Sequence, residues 1–452
     1  MPEFFDRRAG LPLPQMVELE LTDSCNLRCH MCHVSYMPHE RKTLLDPELI
    51  AKLAPLKGAY ISIASGFEPM MHPEFGRIMG DLSDLDLNLQ IITNGTYCDK
   101  RGIGILLDAR MRQINFSFDG IRKETYERIR RRADYERTLE NILATRAAFA
   151  GRDTSLAINY TTVRSNLTEV VEAVDFWDER GFDILRFLVM VVRYSVPELL
   201  RESLYPISEE AQRVFDAAAR RVIEGRLKIA IWRLYHLNSE ITRLHPRNCR
   251  GNWVISDHPD ARFVPNYREQ YLLPPDLRLA AYGCRAPLNS LTILASGDVQ
   301  LCYKYTIGNL HEQDIESIWY GEKAEQVRAA IARSRADCDA CDCYRFGIAL
   351  EVLNAEEIEA HFNSELHPFL AEVDFEAGRL PASRPVKPPR LVETIGNYNI
   401  VEYGSRYFGI PHTAGPIEVD KTDLSVVPGV VADDRYARVL HRVRALAGRP
   451  KA

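Results

Sequence analysis

Thr22-Asp23-Ser24-Cys25-Asn26-Leu27-Arg28-Cys29-His30-Met31-Cys32 is the stretch on which the reading of the chain turns. Its three cysteines are spaced closely enough for one loop to bring three thiolates to a single metal centre. No fourth cysteine lies nearby. An electron-transfer iron–sulfur cluster and a structural zinc site each take four ligands, so three leave one iron free to bind something else. Two plainer readings stay open at this point: three buried cysteines in a turn, or a zinc knuckle completed by His30 or His33.

Outward from the loop the chain alternates strand and helix patterns. Residues 17–21 read Val-Glu-Leu-Glu-Leu, a strand ending just before the cysteines. Residues 60–64, 89–93, 113–118, 155–163 and 183–192 predict five more strands. Asp46 caps and Pro47 opens a helix through residue 56. Further helices are predicted over 73–82, over 121–149 with a break near Ala133, and over 167–180, capped by Asn166 and stopped by Gly181. Such alternation predicts an α/β fold with a parallel sheet. Periodicity does not choose between an open sheet and a barrel.

The cysteine loop, with Met31 just before its third cysteine, resembles the cluster loop of the radical S-adenosylmethionine (radical SAM) enzymes. The resemblance implies a partial (β/α)6 TIM-like barrel over residues 1–192, with the loop after the first strand. It also implies a [4Fe–4S] cluster on Cys25, Cys29 and Cys32 whose open iron chelates S-adenosylmethionine. Reductive cleavage of that cofactor gives a 5′-deoxyadenosyl radical, which abstracts hydrogen from substrate. Gly66-Phe67-Glu68-Pro69 resembles the family's Gly-Gly-Glu-Pro motif, with Phe67 at the second glycine. Gly66, Glu68 and Pro69 are thereby expected at the cofactor, Glu68 accepting its ammonium. Asn94 and Ser117 match further cofactor-lining positions, although taken singly they read as a turn and a strand residue.

A second group of cysteines, Cys284, Cys302, Cys338, Cys341 and Cys343, follows downstream. Residues 291–294 and 299–303 predict a hairpin about Ser296-Gly297-Asp298. The spacing around Gly297 resembles SPASM and twitch extensions, so that residues 284–347 are expected to hold one auxiliary [4Fe–4S] cluster. A zinc ribbon is the alternative. Between the two regions, residues 193–283 carry a helix over 208–224, with a serine cap and Gly225 as stop, and an aromatic-rich segment that reads as a lid or a packed bridge. Residues 348–452 form an extension in which no chemistry is recognised: a proline-rich linker over 381–389, strands over 398–403 and 406–410 about Gly404-Ser405, and a basic final helix over 437–447.

Bulk properties exclude more than they assign. The chain has 452 residues, 46% of them apolar and 27% charged, with a net charge of −6. No basic domain favours nucleic acid as a partner, and the run Arg130-Arg131-Arg132 reads as a solvated helix end. No apolar stretch of about 18 residues is present, so no membrane span is expected. Eight of the ten cysteines fall into the two groups, which fits ligation in a reducing, cytoplasmic setting.

The resemblance points to an oxidoreductase or epimerase supplied by a low-potential electron donor such as flavodoxin or ferredoxin. Only 24 residues precede Cys25, which favours a small polar substrate such as a sugar or aminocyclitol over a peptide. The peptide-modifying maturase is the alternative, and a non-enzymatic electron carrier a third reading. Cys98 and Cys249 are the candidate hydrogen donors if the reaction is a redox-neutral epimerisation. Otherwise the auxiliary cluster takes an electron and the product is oxidised.

Overall fold

The computed structural model describes residues 11–36, 43–64, 66–190, 197–232, 254–255, 286–302, 305–333, 389–403, 406–419, 422, 424–433 and 436–447. Six strands, β1 (Met16–Leu19), β2 (Tyr60–Ile63), β3 (Asn88–Thr93), β4 (Met111–Ser117), β5 (Ser155–Thr162) and β6 (Ile184–Val189), lie side by side in chain order. Each is parallel to the next. The parallel α/β sheet is the one that the strand and helix alternation anticipates, and the partial barrel is the form that the family resemblance implies.

Alternate residues of the strands separate two environments. Val17, Leu19, Ile61, Ile63, Leu89, Ile91, Ile114, Phe116, Leu156, Ile158, Leu185 and Phe187 share one buried core with Ile78, Leu82, Ile142, Val174 and Trp177 of the covering helices. Many of the intervening positions are polar, among them Glu18, Ser62, Gln90, Gln113, Asn115, Asn159 and Arg186. Register sets Gln113 beside Ser155, Ser117 beside Asn159 and Asn159 beside Arg186, so the other face of the sheet carries a polar patch across three strands.

At the far end the sheet continues through β7 (Ala230–Trp232), parallel to β6, and β8 (Val254–Ile255), antiparallel to β7. On the side of β1 it continues through β9 (Ser290–Ile293), β10 (Asp298–Cys302) and β11 (Tyr305–Asn309). Strand β9 pairs parallel with β1, Met16 opposite Ser290, and the hairpin follows antiparallel. Gly297 makes the hairpin turn at φ +79°. A side chain there would be strained and would come within 2.9 Å of His311.

A separate four-stranded antiparallel sheet, β12 (Arg390–Ile395), β13 (Tyr398–Tyr403), β14 (Arg406–Pro411) and β15 (Val431–Asp433), closes the chain. Helix Tyr436–Ala447 packs Val439, Leu440 and Val443 on its Tyr398, Ile400 and Tyr407, and also touches β11. Among the described residues no helix is long and apolar enough to cross a membrane.

Several local expectations are corrected. Residues Pro47–Leu56 form a 3-10 helix, capped by Asp46 as predicted but containing Pro55, which lacks an N–H for the ladder. Asn166 is no helix cap: it is fully buried, accepts from Val163 N and donates to the carbonyls of Asp119 and Thr161. Helix Ser208–Gly225 includes Ser208 rather than being capped by it, and Arg226 takes the left-handed turn at its end. Cys249, Cys284, Cys338, Cys341 and Cys343 lie outside the described residues, as does the side chain of Cys302.

Candidate active site

The cysteine loop leaves β1 and is tied down on three sides. On the first, the Asp23 carboxylate accepts from Thr43 N and Thr43 Oγ1, each at 2.8 Å. On the second, Arg28 N donates to Arg131 O at 3.0 Å and His30 N to Ile129 O at 2.6 Å, at the end of helix Lys123–Ile129. On the third, Glu68 N donates to Ser24 O at 3.0 Å. Within the turn, Ser35 Oγ and Cys32 N both donate to Cys29 O. Of the basic run read from the sequence as a solvated helix end, Arg131 and Arg132 are exposed as expected, but Arg130 is buried and Arg131 also exchanges hydrogen bonds with Arg28 of the loop.

The three thiols feel one another's charge. Burial, with a smaller contribution from the Cys32 charge, pushes Cys29 up to about 12 and Cys25 up to about 11. A thiolate at such a place needs positive charge nearby. Arg130, only 6% exposed, lowers both values; it is held at 2.7 Å from the fully buried Asp119 as an ion pair. The remaining charge would come from metal, which deprotonates a coordinating thiol outright. Among the described residues no three such side chains converge tightly enough to hold a single ion. Three thiols on one loop are the donor set of a cluster with one iron left open, since a closed cluster or a structural zinc site takes four ligands.

Glu68 is the second fixed point. It is 1% exposed, and its carboxylate accepts from Asn94 N at 2.7 Å, Thr93 Oγ1 at 2.8 Å and Met70 N at 3.2 Å. Burial nevertheless pushes it up to about 7, against the pull of those three donors. The carboxylate thus joins the end of β2 to the end of β3, with one further lone-pair position to offer. Asn94 carries the connection to the cysteine loop: its Nδ2 donates to Asn26 Oδ1 at 2.9 Å and lies 4.0 Å from Cys25 Sγ. Cys25, Asn94 and Glu68, assigned to one site from the sequence, are brought together.

Ser117 lies at the end of β4 on the polar face, one step above Asn115. Below it the Arg186 guanidinium donates to Asn115 Oδ1 and, at 2.7 Å, to Gln113 Oε1. Cys98 is elsewhere. It has no exposed surface and sits in the core with its thiol 3.7 Å from Met70 Sδ, and burial pushes it well up. Its thiol thus lies behind Met70 and Thr93, the residues that hold the Glu68 carboxylate. Arg130, Asp119 and Arg186 are the site residues that sequence reasoning missed; the Phe-Ser-Phe-Asp-Gly context was the available signal for Asp119.

The radical SAM superfamily model matches residues 19–177, and the SPASM iron–sulfur cluster-binding domain model matches residues 284–344. A probable GTP 3′,8-cyclase of Methanothermobacter thermautotrophicus is 30% identical over 57% of this chain and 85% of its own length. The chain belongs to the radical SAM superfamily. Membership brings a [4Fe–4S] cluster and S-adenosylmethionine as cofactors, and the SPASM domain brings auxiliary iron–sulfur binding.

Other radical SAM relatives differ in what they are named for. An AdoMet-dependent heme synthase of Methanosarcina barkeri is 30% identical, and this chain spans about half of its length (48%). The PqqA peptide cyclase of Rhizobium meliloti is 23% identical over 75% of this chain and 84% of its own. Among solved structures, Streptococcus suis SuiB bound to S-adenosylmethionine superposes with a TM-score of 0.53 at 15% identity, covering 75% of this chain and 72% of SuiB. At that identity the likeness concerns the fold.

Proposed function

We propose that this radical SAM enzyme holds its [4Fe–4S] cluster on Cys25, Cys29 and Cys32, places S-adenosylmethionine against Gly66, Glu68, Pro69, Asn94 and Ser117, and acts on a small polar substrate. Cluster and cofactor together supply a 5′-deoxyadenosyl radical that abstracts a substrate hydrogen. The chain's own part is positioning and exclusion of water. Glu68 offers its remaining lone pair to an ammonium, and Asn94 spans the gap between that carboxylate and the cysteine loop. The observation that carries the substrate class is the polar patch below Ser117, where Gln113, Asn115, Asn159 and Arg186 share one face of the sheet. Amides and a guanidinium recognise hydroxyl and anionic groups.

Oxidation is the outcome we favour over epimerisation, a reading supported by the full burial of Cys98, one of the two candidate hydrogen donors. One auxiliary [4Fe–4S] cluster in residues 284–347 would take up the electron. A peptide-modifying reading draws on the similarity to a peptide cyclase over most of that protein's length. The test is anaerobic turnover with a low-potential reductant, measuring 5′-deoxyadenosine released with polyols, amino sugars and cyclitols against a panel of peptides. Stimulation by peptides alone would refute the small-substrate reading. Absence of 5′-deoxyadenosine from fully loaded enzyme would refute the cofactor placement.

A further inference from the structure

Phe67 stands where this chain departs from the family's Gly-Gly-Glu-Pro motif, and the space beside its ring is filled from the far end of the chain. The Arg438 guanidinium, from the first turns of helix Tyr436–Ala447, lies 4.4 Å from the centroid of the Phe67 ring. The same guanidinium donates to Glu20 Oε2, at the end of β1 just ahead of the cysteine loop. Glu20 Oε1 accepts in turn from Ala295 N at 3.4 Å, in the hairpin region. The contact is sealed: Arg438 is 6% exposed, Glu20 2% and Phe67 8%. Arg442, one turn on, reaches Asp433 of β15 at 3.8 Å, which fixes the helix over its own sheet.

A planar guanidinium can stack on a ring and serve a carboxylate at once, which an ammonium on a flexible stem cannot do with the same geometry. Phe67 is bonded directly to Gly66 and Glu68, so holding its ring holds the backbone between them. Glu68 in turn donates its N–H to Ser24 O and receives Asn94, Thr93 and Met70 on its carboxylate. A glycine at position 67 would have left this segment without a side chain to grip. The substitution and the extension therefore belong to one device.

We propose that Arg438 is a positioning residue for S-adenosylmethionine, acting through Phe67 on the Gly66–Pro69 segment, so that the C-terminal extension is a working part of the cofactor site. This rests on the reading above that the segment faces S-adenosylmethionine. The residue touches neither cofactor nor reacting atoms; it fixes the segment that does.

The test uses full-length protein with reconstituted clusters, labelled S-adenosylmethionine in equilibrium dialysis, and the electron paramagnetic resonance signal of the reduced cluster with and without the cofactor. Arg438→Met should weaken cofactor binding by about tenfold while iron content stays at the wild-type level. Because that change leaves Glu20 buried without its cation, Phe67→Leu provides a second approach: it keeps the Arg438–Glu20 pair and removes only the aromatic face. It should weaken binding by a similar factor and reduce the cofactor-induced change in the cluster signal. The double variant should be no weaker than the weaker single one, because both changes remove the same contact. Wild-type affinity in both single variants, or losses that multiply in the double, would overturn the proposal. Failure of cluster-loaded wild type to bind the cofactor would instead overturn the reading beneath it.

Discussion

Glu68→Gln separates charge from shape at the centre of the site. In the native protein one carboxylate oxygen accepts from Thr93 Oγ1 and Met70 N, the other from Asn94 N. Glutamine keeps only one oxygen. If that oxygen serves Thr93 and Met70, the amide nitrogen meets the Asn94 N–H donor to donor, and a buried backbone group loses its acceptor at a cost of about 1–3 kcal/mol. A second effect runs the other way. Burial raises the native carboxyl from 4.5 to about 7, so between those values the folded chain binds more protons than the unfolded one. Stability contributed by this group is greatest below pH 4.5, falls as pH rises, and is flat above 7; the full difference is about 3 kcal/mol. The glutamine does not titrate and should lack that slope. Denaturant midpoints of the cluster-free chain at several pH values, with the infrared carboxyl band near pH 6 as a direct reading, measure both effects. Equal pH slopes in the two proteins, or a band that survives the substitution, would refute the buried neutral carboxyl. Cofactor affinity should also climb with pH and level off near 7 in wild type, since an ammonium favours the ionised form, and should be flat in the variant.

Replacing Cys25, Cys29 and Cys32 together by Ala should lower bound iron from about eight to about four per chain in reconstituted protein, with loss of cofactor cleavage. Arg130→Met strands the buried Asp119 carboxylate and should cost about 3–5 kcal/mol; pairing it with Asp119→Asn should restore folding yet leave the cluster's reduction potential more negative than in wild type, as read by redox titration. Cys98→Ala should lower stability by about 1–3 kcal/mol through the cavity beside Met70, with 5′-deoxyadenosine formation retained; its abolition in a folded protein would return Cys98 to the chemistry.

The parallel sheet was legible in the alternation of strand and helix patterns, and its closure into a partial barrel only through the resemblance carried by the cysteine loop and the Gly66–Pro69 segment. Helix Lys100–Asp108 was not: Gly102 and Gly104 weaken its pattern. Gly102 is there because a side chain would drive into Tyr97 O, 2.0 Å from where its Cβ would stand. The cysteine loop announced itself through local spacing, as did Glu68 through its motif. Arg130 gave no such signal, because a charge run at a helix end looks the same whether water or a loop covers it. Asn166 looked like a cap for the same reason: its short amide serves a helix or a strand connection equally well, and tertiary packing decides which. Arg438 and Phe67 lie hundreds of positions apart, and no local pattern couples them.

The parallel pairing of β1 with β9 also has a consequence for synthesis. Met16 cannot meet Ser290 until most of the chain has left the ribosome. At ~5–20 residues per second the edge of β1 waits tens of seconds for its partner. During that wait its N–H and C=O groups are open to any strand that approaches, and the Phe67 ring lacks the helix that later covers it. The β1 edge, next to the cysteine loop, is therefore the last part of the barrel sheet to gain its neighbour as the chain emerges.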